Sequence, residues 1–142
     1  MLFIASLISW NHIHPVLVHF STALVPASLV SDALGKYLGR NSLTVAASWM
    51  MLYGAIATPF TVLAGWLWAT GIPAVAAEHL PGLVIHKWLG LSLAIIFGVM
   101  ATWRSKTSLG AGMPGLPYLI LGAFVIAALM FQGFLGGQMT IG

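Results

Sequence analysis

Four apolar runs divide the chain, each close to the 20 residues a helix needs to cross the hydrocarbon core of a bilayer. They cover about 15–34, 43–69, 83–103 and 117–135. Pro15 suits the start of the first helix, and Pro26 predicts a kink within it. The second run exceeds the minimum length, which predicts tilt or a bend at Pro59. Polar and helix-breaking residues lie between the runs: Gly35 to Asn41, then Gly71 to Gly82 bracketing Glu78 and His79, then Arg104 to Pro117. The pattern predicts an all-α integral membrane four-helix bundle, up-down-up-down, as a single transmembrane domain over 1–142. The opening Met1–Trp10 is apolar but has neither a basic n-region nor a small-residue cleavage site, so it reads as part of the mature protein at the membrane interface.

Composition strengthens this reading. Hydrophobic residues make up 60% of the 142 and charged residues 5%, against about 25% charged in a soluble domain. The solvent for most of the surface is therefore lipid. The net charge of +3 belongs to short loops and gives no case for nucleic-acid binding. Cysteine is absent, which excludes disulfides, thiolate catalysis, Cys-ligated zinc, iron–sulfur clusters and covalent haem attachment through CxxCH.

The loops orient the bundle. Lys36 and Arg40 follow the first span and Arg104 and Lys106 the third, leaving only Lys87 on the other side. The positive-inside rule makes the basic side cytoplasmic. Both termini then face outward, toward the periplasm if the host is a bacterium and the membrane its inner one.

Up-down topology gathers the unusual residues in the outer half. The stretch His12-Ile-His14-Pro-Val-Leu-Val-His19 enters the first span there, and Gly65, Trp66 and Trp68 end the second. Glu78, His79, His86, Lys87 and Trp88 precede or open the third, and Gln132, Gly136, Gly137 and Gln138 close the fourth. Ionisable groups at membrane depth are costly and mark function. His19 and His86 each lie roughly 5 Å inside a helix start at 1.5 Å per residue. Two imidazoles at one depth on different helices are what a bis-His b-type haem requires. His14 and His19 diverge by about 140° on a helix, so one of them serves the site. His19 with His86 is the preferred axial pair and His14 its rival. His14, Trp66, Lys87 and Gln132 are the candidate cofactor-binding residues, with His14 or Lys87 reaching a haem propionate.

Plainer readings stand beside this one. The six Trp fit an interfacial aromatic belt, Gly133, Gly136 and Gly137 fit close helix packing, and the seven Met fit packing, with Met139 placed as an alternative ligand. Asp32 is expected to cap its helix or pair with Lys36. One haem b, two axial imidazoles and no open iron position imply electron transfer without a catalytic site. The expected partners are lipid, a periplasmic redox protein, quinone and other subunits of a membrane complex. The alternative is a structural or pigment-binding subunit in which His19 or His86 ligates the magnesium of a chlorin. A His-lined metal-ion permease is a third reading, disfavoured by the few polar residues in the cytoplasmic half.

The run His14-Pro-Val-Leu-Val-His19-Phe-Ser-Thr-Ala-Leu, with Asp32 after it, His86 at the start of the third helix and Gly136-Gly137 late in the fourth, resembles the DUF2231 family of predicted bacterial membrane proteins. The likeness spans nearly the whole chain, and the His-Pro…His-Phe segment is its specific part. It implies a four-helix membrane fold and a haem b or electron-transfer subunit, and no catalytic reaction. Ser21 stands where the family usually has Pro, which leaves the helix start less rigid.

Overall fold

A computed structural model describes residues 10–70, 82–107 and 112–141. Four helices account for nearly all of them: α1 (Trp10–Leu38), α2 (Asn41–Thr70), α3 (Leu83–Lys106) and α4 (Leu116–Ile141). Each is long and apolar enough to cross a membrane. Successive helices run antiparallel, so His14, Gly65, His86 and Gln132 share one end, the histidine end, and Lys36, Arg40, Arg104 and Lys106 the other, the basic end.

The helices extend beyond the apolar runs that reveal them. Hydropathy marks the stretch inside hydrocarbon, whereas backbone hydrogen bonding carries a helix on into the interface. α1 begins at Trp10, so His12 and His14 lie on the helix and Pro15 sits inside its second turn, not at its start. α1 also runs on through Pro26, and α2 through Pro59.

Burial is inverted relative to a soluble protein. Large apolar side chains such as Phe20, Phe60, Ile95, Phe124 and Phe134 face outward, where lipid covers them. Small and polar residues face inward: the buried set on α2 includes Thr44, Ala47, Met51, Gly54, Thr58 and Thr61, at alternating steps of three and four. That spacing is the seam of a left-handed helix pair. On α1 the matching positions are His14, Ser21, Ser28 and Gly35, and on α2 they are Gly65, Thr58, Met51 and Thr44. Contacts recur along this seam. A Cβ on Gly35 would stand 2.6 Å from Thr44 Cγ2, and one on Gly54 2.8 Å from Val25 Cγ2. The Ser28 hydroxyl donates to the Ala47 carbonyl at 2.7 Å. Thr58 Oγ1 donates to Gly54 O, so Ser21 Oγ donates to Thr58 Oγ1 at 2.8 Å. Ser21 is thus a buried part of this seam. The connecting turn is a Schellman cap, with Gly39 at φ 65° and Arg40 N–H donating to Gly35 O at 2.9 Å.

The apolar core sits in the middle of the bundle, around Val25, Met51, Leu93, Phe97, Met100 and Leu129. α4 closes against α1 where Leu29 fills the notch at Gly122, 2.6 Å from a Cβ built there.

A buried ion pair locks the basic end. Arg104 Nε donates to Asp32 Oδ2 at 3.0 Å and Nη2 to Oδ1 at 2.9 Å, with side-chain exposures of 1% and 0%. Nη2 also donates to the Thr44 carbonyl at 2.9 Å, so the guanidinium of α3 ties α1 to α2. This corrects two expectations from sequence. Asp32 pairs with Arg104 rather than with Lys36, whose Nζ donates to Pro114 O at 2.8 Å. Arg104 is a buried helix residue, not a loop charge, because α3 continues to Lys106 and its face there turns inward.

Candidate cofactor cavity

Above the apolar core, toward the histidine end, the four helices surround a cavity of about 470 Å³. Leu93, Phe97 and Leu129 line it from the core side, and its volume lies within the range of small-molecule and cofactor sites. Its polar groups come from all four helices: His14 and His19 on α1, Trp66 on α2, His86 and Lys87 on α3, and Gln132 on α4.

His14 is held by α2. Its Nδ1–H donates to the Thr61 carbonyl at 2.9 Å, which leaves Nε2 as the lone-pair nitrogen of the neutral ring. Gly65 makes this approach possible, since a Cβ there would lie 2.7 Å from His14 Cε1. His86 belongs to the first turn of α3, its backbone N–H donating to Gly82 O at 2.8 Å. Its ring lies against α4, with Cε1 3.2 Å from a Cβ built on Gly136. The two imidazoles face each other across the cavity, centroids 6.4 Å apart and planes at 80°. The Trp68 ring lies 6.0 Å from His14 on another side.

His19 is exposed, and its Nδ1–H turns back to the Pro15 carbonyl of its own helix at 2.6 Å. It lines the cavity from the rim. Equal depth, the basis for pairing His19 with His86, does not fix direction around the helix. The α1–α2 seam sets that direction and points His14 inward. Met139 and Gly137 also line the cavity, and Gln138 is exposed. Glu78, His79 and the His12 side chain lie outside the described residues.

Gln132 and Trp66 surround the imidazole pair. Gln132 Nε2 donates to the His86 backbone carbonyl at 3.0 Å, seated in a gap left by Gly90, where a Cβ would stand 3.1 Å from that nitrogen. The Lys87 ammonium sits 4.7 Å from the Trp66 ring centroid, a cation–π contact, and Trp88 meets the same ring edge-on. Among the described residues, Trp66 Nε1, His86 Nδ1 and Gln132 Oε1 are buried with no hydrogen-bond partner. Thr61 and Gly90 are site-forming positions that the sequence alone did not mark, while Gly65 and Gly136 stood out at this end without a histidine assigned to either. The heptad His14/Ser21/Ser28/Gly35 facing Thr44/Met51/Thr58/Gly65 is the signal that sets Gly65 opposite His14.

The donor set constrains what fits. Among the described residues no three His, Cys, Asp or Glu come together to hold an ion. Two imidazoles complete a metal's coordination if the ligand brings its own equatorial donors. His14 and His86, on different helices with ring centroids 6.4 Å apart, are the residues that would hold such a metal. Lys87 and the Trp66 N–H are donors suited to a carboxylate, and the glycines leave flat spaces that a Cβ would fill.

Fold and cavity together define a four-helix membrane protein with a partly polar, cofactor-sized cavity toward one end of the bundle. The chain belongs to the DUF2231 family, described as a predicted membrane protein, whose model matches residues 11–142. Neither the curated proteins nor the solved structures contain a match to it.

Proposed function

We propose that this protein is a b-type haem protein of the bacterial inner membrane that passes electrons between a periplasmic redox partner and the quinone pool or a larger complex. The observation that carries the reading is the His14–His86 pair, 6.4 Å apart and near perpendicular on two helices across a cavity. In this reading His14 and His86 would hold the haem iron, and His19 would not. The Nδ1–H of His14 is already committed to Thr61 O, the outer hydrogen bond that fixes the tautomer and orientation of a metal-ligating imidazole. Lys87 and Trp66 receive the propionates. A bis-imidazole haem supplies reversible one-electron transfer and offers no open position to substrate. The residues around it hold the macrocycle and exclude water. The positive-inside rule supports the orientation, with the histidine end outward and the basic end in the cytoplasm.

The test is an absorption spectrum of the purified protein, oxidised and reduced. A Soret band and sharp reduced α-band of a low-spin haem are expected. No Soret band, even after reconstitution with haem, overturns the proposal. A chlorin in the pigment extract would assign the chain instead to a pigment-binding subunit.

A further inference from the structure

Two of the cavity's unpartnered atoms are a complementary pair. His86 Nδ1 and Gln132 Oε1 are both buried, and neither has a partner among the described residues. Leaving a buried donor and a buried acceptor unmade costs about 1–3 kcal/mol each. The orientation of the Gln132 amide follows from its bond to the His86 carbonyl, because only Nε2 can donate there. Oε1 is therefore the free end. The Nδ1 edge of the His86 ring faces α4, with Nδ1 3.8 Å from a Cβ built on Gly136. Gln132 lies one helical turn from Gly136, on the same face of α4. Trp66, the other unpartnered donor, packs toward Lys87 and Trp88 on the opposite flank of α3.

We propose that Gln132 is a positioning residue for His86: anchored through Nε2 on the His86 carbonyl, its carboxamide accepts the His86 Nδ1–H on Oε1 and presents the Nε2 lone pair to the cavity. The terminal amide torsion is soft, which leaves the carboxamide free to turn Oε1 toward the Nδ1 edge of the ring. The result mirrors His14, whose Nδ1–H goes to Thr61 O. Each imidazole then has its tautomer set by a neutral carbonyl from a neighbouring helix. Ligating histidines commonly donate their second N–H in this way, and the partner tunes the metal.

The first test does not depend on haem. Nitrogen-15 NMR of the full-length, haem-free protein, with His86 assigned by loss of its signals in His86→Ala, should find the Nδ1–H tautomer. Gln132→Met keeps the length but removes the acceptor and should convert His86 to a mixture of tautomers. Gln132→Glu keeps an acceptor and should retain Nδ1–H with a larger downfield shift. His86 signals that are the same in wild type and in whichever variant folds overturn the proposal. The second test rests on the haem reading and uses the loaded protein. Gln132→Glu should lower the midpoint potential and Gln132→Met should raise it, and two unmoved potentials would refute the role. A missing Soret band defeats the haem reading alone and leaves the tautomer test standing.

Discussion

Arg104 and Asp32, 72 residues apart, meet in a two-point ion pair sealed from solvent, with a third bond from the guanidinium to the Thr44 carbonyl. Breaking a buried pair strands one charge, which costs about 3–5 kcal/mol. Arg104→Ala and Asp32→Ala should each lower the thermal unfolding midpoint strongly in detergent or lipid discs. The double variant should lose much less than the two single losses combined. Additive losses would show that the pair is not coupled. Arg104→Lys should also be destabilising, because an ammonium cannot reproduce the fork.

Tyr118 gives the opposite expectation at the same end of the bundle. Its ring is buried, edge-on to Trp103, while its hydroxyl has no partner among the described residues. Tyr118→Phe removes an unmet polar group and should leave unfolding within about 1 kcal/mol of wild type, or raise it. Tyr118→Ala should cost about 3–5 kcal/mol through the cavity it leaves. A large loss in Tyr118→Phe would mean the hydroxyl is bonded.

Two glycines separate space needed from space merely available. Gly65→Ala drives a Cβ to 2.7 Å from His14 Cε1, so the ring must leave Thr61. Ligand binding should fall at least tenfold, read as haem retained through purification. Gly98, exposed on α3 and away from the cavity, meets nothing within 4 Å of a built Cβ. Gly98→Ala should bind normally and gain up to about 1 kcal/mol of helix stability. Equal effects from the two would detach Gly65 from the site.

The axial assignment predicts a specific set of spectra. His14→Ala and His86→Ala should each abolish the low-spin haem signature, while His19→Ala should keep it. If His19→Ala alone removes it, the pair across the cavity is His19 and His86 after all.

Much of this was legible in the sequence. Apolar run length is enough to find four spans, and alternation of direction brings His86, Gln132 and the His12–His19 stretch to one end. What escaped is rotational. Depth along a helix places His19 and His86 level, but which side chain points inward depends on the partner helix. That information lies in small residues, Gly65 opposite His14 and Gly35 opposite Thr44, that carry no chemistry of their own. Arg104 misled for a related reason. Charge next to a loop reads as a topology signal, and only the packed helix end shows that it answers Asp32.

The two-residue turn after α1 bears on how the protein is made. α1 and α2 pair through contacts that are near in sequence, and the chain leaves the ribosome from its N-terminal end. The bond that seats His14 on Thr61 lies wholly within the first half of the chain and needs nothing from α3. Cysteines at Ser28 and Ala47 should cross-link in chains arrested ahead of α3. The hairpin thus carries the first imidazole by itself, and α3 adds the second across the cavity.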